Sequence, residues 1–504
     1  MDILTNTISL LFRPRQKEIA RFAQDADAIQ RKQLKSLLSA AKDTEWGLKY
    51  DYKSIQGYAD FCERIPLQTY DDIKPYVIRM INGEKNILWP SVVRWYAKSS
   101  GTTNDKSKFL PVTPEILKGC HYKGGFDTVS VYLRNNPDSH FFSSKGLILG
   151  GSHSPSPLNR NAHCGDLSAV LLQNLNPLVN LIRVPDKKII LMDEWESKIK
   201  AIVESTWKAD VNSLSGVPSW MLVLIKSVLR KAGCEYLTDV WPNMEVFFHG
   251  GISFEPYRDQ YKALIPSDRM HYMETYNASE GFFGLQDDPS EHSLLMMIDY
   301  GVFYEFIPLN EVDNEHPTVL PLEAVEVGKN YAMVITTSGG LWRYQIGDTV
   351  RFTSLYPHKF VISGRTKNFI NAFGEELMVD NADKAISSVC RQTGAKVKEY
   401  TAAPLFMLDK AKGRHQWLIE FEKMPPSLEE FASLLDKTLQ QLNSDYEAKR
   451  YKEISLQPLE IRVAREGTFY EWLRRKGKLG GQHKIPRLSN DRTFIEELGR
   501  ICDL

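Results

Sequence analysis

The sequence predicts an α/β protein with a large N-terminal domain, built of mixed sheets and a β-barrel-like subdomain, followed by a small α+β C-terminal domain. Three observations predict it. The chain runs to 504 residues, more than a single hydrophobic core ordinarily supports. From Trp95 onward, short strand-like runs alternate with helical patterns. Beyond Arg365 the pattern resets into a compact unit of two helices and three strands.

Taken in order, the first ninety or so residues read as helical. Leu34, Leu37, Leu38 and Ala41 fall at i, i+3, i+4 and i+7, one face of an amphipathic helix. Pro66 and Pro75 punctuate the stretch after it. Val92 to Tyr96 reads as a strand and Phe109 to Val112 as its return. Gly146 to Gly151 reads as a buried strand entering a glycine turn. Pro218 to Lys231 is a predicted helix, with proline in its first turn and Gly233 just past its end. Glu245 to Phe248 is a further buried strand, running into His249-Gly250-Gly251. Leu294 to Ile298, Val302 to Ile307, Tyr331 to Thr336 and Trp342 to Phe352 form a strand-rich cluster, an antiparallel sheet or small barrel. The last unit comprises helix Val379 to Arg391, strands Val397 to Ala402 and Gln416 to Phe421, helix Leu428 to Leu442 and strand Leu456 to Val463. Ser427 and Glu430 make a capping box for the longer helix. The domain boundary is expected near residues 364–371, where no Pro/Gly/Ser-rich linker occurs and a tight hinge is implied.

Composition excludes several classes. Lysine plus arginine number 63 and aspartate plus glutamate 63, so the basic excess of a nucleic-acid binder is missing. The six cysteines are scattered without a C-x-x-C pair, which argues against a zinc site or disulfide scaffold and fits a reducing compartment. No apolar stretch approaches a membrane span, and the N-terminal run lacks the basic region of a signal peptide. A cytoplasmic protein is expected, with no nucleic acid, membrane or obligate protein partner.

Four motifs carry candidate chemistry. Ser99-Ser100-Gly101-Thr102-Thr103, with Lys106 and Lys108 close behind, combines hydroxyls, glycine and ammonium charge between two strands. That composition suits a polyphosphate or a plain polar hairpin, and it is not a Walker loop. Glu274 to Gly281 joins the aromatic Tyr276 to the hydroxyl of Ser279 and the carboxylate of Glu280, which can hold Mg²⁺ or simply occupy a turn. In Tyr344 to Asp348, an aspartate comes directly after glycine and can accept hydrogen bonds from ribose hydroxyls or close a β-turn. Gly364-Arg365-Thr366-Lys367 offers Arg365 to ribose or phosphate oxygens at the expected hinge.

In that order and spacing the motifs resemble the adenylate-forming superfamily of acyl-CoA synthetases, peptide-synthetase adenylation domains and luciferases. Gln33, Thr44, Gly47, Pro66 to Tyr70, Pro75, Tyr76 and Gly83 narrow the resemblance, together with Tyr276 to Gly284, Tyr344 to Asp348 and the tail Gln482 to Arg487. They are similar to the auxin-responsive Gretchen Hagen family of acyl-acid amido synthetases, over nearly the whole chain. The residues after Arg365 look closer to the general superfamily hinge than to the plant members.

The resemblance implies a firefly-luciferase-like, adenylate-forming fold, with residues 1–366 binding ATP and the acyl group and residues 367–504 forming a small mobile domain. It implies ATP and Mg²⁺ as cofactors, and a carboxylic acid and an amino acid as reactants. Ser99, Ser100, Gly101, Thr102 and Thr103 would cradle the β- and γ-phosphates, helped by Lys106 or Lys108. Tyr276 would pack near adenine with Gly250 and Gly251 lining the same pocket, Ser279 would contribute to cofactor binding, and Asp348 would hold the ribose with Arg365 beside it. Glu280 would ligate Mg²⁺, and Lys484 would reach from the small domain to the reacting carboxylate and α-phosphate. Asn104-Asp105 depart from the superfamily loop and leave the choice between Lys106 and Lys108 open. A coenzyme A or carrier-thiol acceptor, or a catalytically silent nucleotide-binding module, would carry the same motifs.

Overall fold

The computed structural model describes all residues except 1–2, 100–107, 152, 156–158, 160, 253, 367–368, 371, 374, 376, 407–412, 451–455, 478, 480–484 and 503–504. The N-terminal region is helical. Helix Phe22–Ala41 buries Leu34, Leu37, Leu38 and Ala41 on the face its periodicity defines. Helix Tyr70–Ile81 starts at a reciprocal Thr69/Asp72 capping box. Pro75 lies inside this helix rather than ending it; the capping box starts the helix early enough that the proline costs one backbone hydrogen bond in the second turn.

Among the described residues, sixteen strands come next: β1 (Trp95–Ser99), β2 (Lys108–Val112), β3 (Lys145–Ile148), β4 (His153–Pro155), β5 (His163–Gly165), β6 (Arg183–Val184), β7 (Val211–Gly216), β8 (Val246–Gly250), β9 (His271–Ala278), β10 (Gly281–Leu285), β11 (Leu294–Met296), β12 (Val302–Pro308), β13 (Leu320–Pro321), β14 (Asn330–Thr337), β15 (Tyr344–Leu355) and β16 (His358–Arg365). The order β2-β1-β5-β4 makes a small sheet, and β13-β12-β14-β15-β16-β11-β10-β9-β8-β7-β3-β6 makes a twelve-stranded one. Within the larger sheet, β6, β3, β7, β8 and β9 are parallel. From β9 to β13 each neighbouring pair is antiparallel. The strand-rich cluster is therefore the antiparallel limb of one continuous sheet.

Alternation along the parallel strands sorts their side chains. Leu147, Leu214 and Phe247 join a core with helices Trp195–Thr206 and Pro218–Ala232. Gly233 ends the second helix in the left-handed region at φ 69°. On the opposite face, Phe248 packs toward the core shared by the N-terminal helices and the antiparallel limb.

The remaining strands are β17 (Phe369–Ile370), β18 (Leu377–Met378), β19 (Lys396–Phe406), β20 (Gly413–Lys423) and β21 (Glu460–Ala464). β19, β20 and β21 form a sheet with helices Val379–Thr393 and Leu428–Leu442 packed against it. Ser427 caps the second helix by accepting the Glu430 N–H at 3.1 Å. Half of the expected capping box forms, because the Glu430 side chain makes no return bond in the cap.

Candidate active site

Parallel and antiparallel limbs meet at the β9–β10 hairpin, and the residues read as nucleotide-binding collect there. His249 and Gly250 of β8 stand opposite Glu274 and Thr275 of β9. A Cβ at Gly250 would lie 2.3 Å from the Thr275 carbonyl oxygen, and Gly251 has φ +86°, so only glycine fits this close approach and turn. Tyr276 is buried, with its ring edge-on to Phe283 at 5.1 Å. Its hydroxyl donates to Asp348 Oδ2. Asp348 comes after Gly347, whose φ of +84° shapes β15 at that point, and it pairs in register with Arg365 of β16. Arg365 Nε donates to Asp348 Oδ1 at 2.7 Å. A phenol and a guanidinium thus fix both oxygens of one carboxylate.

The Pro66 to Tyr70 segment buttresses this wall. The Gln68 N–H donates to the Arg343 carbonyl at 2.9 Å and the Gln345 N–H to the Gln68 carbonyl at 2.8 Å. Tyr70 Oη accepts the Phe109 N–H at 2.8 Å, and Lys108 Nζ lies 5.7 Å from the Tyr70 ring centre.

Ser279 and Glu280 form the two-residue turn between the paired Ala278 and Gly281. A turn carboxylate is ordinarily exposed, yet Glu280 is 6% exposed. Burial first, and then Asp348, push its pKa up to about 7, against Lys108 and Arg365. Among the described residues no other side chain pairs with it, and no group of three His, Cys, Asp or Glu forms a protein-only metal cage. A lone buried carboxylate of this kind fits Mg²⁺, which takes one or two protein carboxylates and completes its shell with phosphates and water.

Glu274 lies two residues before Tyr276, on the same face of β9, and lines the same cavity. Burial raises its pKa to about 7; Arg258 opposes the shift, while Asp380, Glu255 and Asp383 add to it. His249 is held neutral by burial and by Arg258, with its pKa lowered to about 3, and it stacks on Phe254 at 4.2 Å.

These groups line one continuous cavity of about 2160 Å³. Away from the Tyr276–Asp348–Arg365 wall it carries an apolar lining that includes Phe126, Val129, Phe141, Phe142, Ile148 and Phe248. Trp220 also lines the cavity, edge-on to Trp195 at 4.7 Å, and touches the core around Phe469 and Trp472. Arg487 closes the far side: Nη1 lies 2.6 Å from Asp383 Oδ1, and Nη2 donates to Tyr257 Oη at 3.2 Å.

The structure therefore gathers Gly250, Gly251, Tyr276, Ser279, Glu280, Asp348 and Arg365 around one cavity. The backbone of Ser99 ends β1, paired with Lys108. Ser100, Gly101, Thr102, Thr103, Lys106, Lys367, His483 and Lys484 lie outside the described residues, whereas Ile485, Pro486 and Arg487 line the cavity. Sequence reasoning passes over two cavity residues. Glu274 enters it only as the first residue of its motif, although its spacing from Tyr276 places both on one strand face. Trp220 reads as plain core, because helical spacing does not tell a cavity wall from a core.

Comparison with known proteins agrees with this geometry. Residues 15–270 match the GH3 family N-terminal domain, residues 295–365 the GH3 family central domain and residues 380–493 the GH3 family C-terminal domain. The chain is 25% identical to the indole-3-acetic acid-amido synthetase GH3.3 of Arabidopsis thaliana, over 95% of this chain and 92% of that protein. It is 23% identical to the 4-substituted benzoates-glutamate ligase GH3.12 of the same plant, over 94% of each. Among solved structures, GH3.15 acyl acid amido synthetase superposes with a TM-score of 0.76 at 20% identity, covering 96% of this chain and 94% of that one. A 2-hydroxyisobutyryl-CoA ligase in its postadenylation state gives 0.62 at 12% identity, covering 95% and 92%. The fold is that of the adenylate-forming ligases. Among the described residues no helix is long and apolar enough to cross a membrane.

Proposed function

Since the chain belongs to the GH3 family, whose three domains it matches in order, we propose that it is an ATP-dependent acyl-acid amido synthetase joining a carboxylic acid to an amino acid. The observation that carries the reading is that one cavity is lined both by the Tyr276–Asp348–Arg365 wall and by a group of aromatic side chains. It offers a nucleotide site and an apolar acid site side by side.

A carboxylate is a poor acyl donor because its leaving group would be oxide. In the first step a carboxylate oxygen attacks the α-phosphorus of ATP. A new O–P bond forms, the bond to the β-phosphate bridge breaks, and pyrophosphate leaves. In the second step the amine nitrogen of an amino acid attacks the acyl carbon, the C–O bond to AMP breaks, and the amide forms. The amine nitrogen gives up one proton, to the departing phosphate or water, and keeps the N–H of the amide. Positioning and charge neutralisation supply most of the acceleration in such steps.

In this reading adenine packs between Tyr276 and the Gly250–Gly251 turn, beside Ser279. Asp348 accepts hydrogen bonds from the ribose while Tyr276 and Arg365 hold it in place. Ser99 to Thr103 take the terminal phosphates with Lys106 or Lys108; the influence of Lys108 on Glu280 supports Lys108. Mg²⁺ held at Glu280 would neutralise phosphate charge. Residues 367–504 act as the small domain, bringing Lys484 to the charge that develops between carboxylate and α-phosphate.

The test is pyrophosphate release from the full chain with ATP, Mg²⁺ and a panel of aryl and aliphatic acids, with mass spectrometry after adding either mixed amino acids or coenzyme A. Acid-dependent pyrophosphate and an amide product are expected. Product from the thiol alone would overturn the amide step.

A further inference from the structure

Among the described residues four arginines are buried: Arg15, Arg183, Arg343 and Arg487. Three are neutralised within the fold. Arg15 lies 2.8 Å from Asp127 and 2.6 Å from Asp299. Arg343 lies 3.0 Å from Glu305. Arg487 lies 2.6 Å from Asp383 and 3.1 Å from Glu399. Arg183 has no such partner. It is 5% exposed, and its Nε donates to Asn180 Oδ1 at 2.9 Å, an oxygen that Nη2 also uses. Its Nη1 is buried without any hydrogen-bond partner. Asp186 acts on it only through space. A buried cation lacking a contacting carboxylate is strongly destabilising, so this site is complete only when something brings an acceptor.

The surroundings indicate where that acceptor comes from. Arg183 opens β6 in register with Gly146 of β3, which is in turn in register with Ser213 of β7. Gly146 contributes no side chain to this row; a Cβ there would sit 3.0 Å from Ser213 Oγ. Arg183, Gly146 and Ser213 all line the cavity, in the part walled by Phe141, Ile148 and Phe248. Arg183, with its unsatisfied nitrogen, and the hydroxyl-bearing Ser213 thus border the part of the cavity assigned to the acid, away from Asp348 and Glu280.

We propose that Arg183 receives a second carboxylate at the far end of the acid substrate, so that the enzyme activates acids with an apolar body and an anionic distal group. The guanidinium would grip that carboxylate with its free N–H groups, as arginine does in planar paired contacts, and Ser213 would donate beside it. This rests on the reading of the cavity as the acyl site of an adenylating ligase.

The experiment measures pyrophosphate release from the full chain with ATP and Mg²⁺ across a ladder of straight-chain dicarboxylic acids, each compared with the monocarboxylic acid of the same length. At the length that spans the chamber, the diacid should exceed its monoacid in kcat/KM by about tenfold or more, mainly through KM. Arg183→Gln should abolish that preference, and Arg183→Lys should keep part of it. Monoacids outperforming diacids at every length, or a preference surviving in Arg183→Gln, would overturn the assignment. If the variants do not fold, the wild-type ladder decides alone. Release with monoacids only sinks this inference and leaves the ligase reading standing, whereas no release with any acid removes both.

Discussion

The two walls of the cavity differ in how their polar groups are satisfied. On the wall proposed to bind the nucleotide, Asp348 is held by Tyr276 and Arg365. Beside the chamber proposed for the acid, the Arg183 guanidinium keeps one nitrogen unpaired. A prepaired wall costs little to keep ordered and presents one fixed acceptor to a ligand common to every turnover. An unpaired chamber discriminates, because a ligand that fails to satisfy it leaves a buried group exposed to nothing. The positions suit the two reactants, one constant and one selected.

The largest loss is expected at Lys484, the residue assigned to the reacting carboxylate and α-phosphate rather than to either wall. Lys484→Ala should slow adenylation by about 3–4 kcal/mol, roughly a hundred- to a thousandfold, while ATP affinity stays within error, because its charge matters as negative charge accumulates at the reacting oxygens. Rapid-quench measurement of acyl-adenylate formation beside equilibrium ATP binding checks it. An equal loss in both would place Lys484 in the prepaired wall.

Glu274 tests how much strain the nucleotide wall stores. Its carboxyl is pushed up from 4.5 to about 7 by burial, against Arg258 and with Asp380, Glu255 and Asp383 adding to the rise. The folded state then binds a proton that the unfolded chain has released, so stability falls as pH rises from 4.5 toward 7 and no further loss arises above it. Glu274→Gln should remove that slope and, at pH above 7, stabilise the ligand-free protein by up to roughly 3 kcal/mol. Chemical denaturation of both proteins across this range reads it out, and parallel slopes would contradict it.

Legibility in the sequence divides along similar lines. Helix Leu428–Leu442 is readable because Ser427 caps it locally, and helix Pro218–Ala232 because proline and Gly233 bracket it. The Gly347–Asp348 step within β15 is readable because glycine supplies the positive φ. The continuity of the sheet is not, since β11 pairs not with its successor β12 but with β16, a segment far along the chain. The burial of Glu280 is hidden because a two-residue turn looks the same in sequence whether water or protein covers it. Arg183 leaves no pattern at all: β6 has two residues, too few for a period to mark which face is inside.

Asp348→Ala removes the acceptor that both Tyr276 and Arg365 hold. ATP binding should weaken by about 1.5–3 kcal/mol, the range for hydrogen bonds to a charged group, with a smaller loss in Asp348→Asn, which keeps one carbonyl acceptor. Isothermal titration of ATP into the acid-free protein measures it directly. Unchanged affinity would mean that the carboxylate serves only to hold its two neighbours, and the contrast between the walls would lose its functional meaning.

The smallest effect belongs to the chamber lining. Phe248 projects from β8 opposite Phe247, and its ring meets Tyr132 edge-on at 5.7 Å and Phe141 at 5.9 Å. Phe248→Leu keeps the apolar surface but removes an edge-and-face surface against which an aryl acid can pack, a contribution of about 0.5–1.5 kcal/mol beyond area. The KM of aryl acids should therefore rise severalfold relative to that of alkyl acids of similar size, with ATP affinity and the diacid-to-monoacid ratio unchanged. A matched loss for both acid classes would show that Phe248 shapes the sheet rather than the substrate. A shift in ATP affinity would mean that the two walls are mechanically coupled through β8, whose last residue, Gly250, borders the adenine turn.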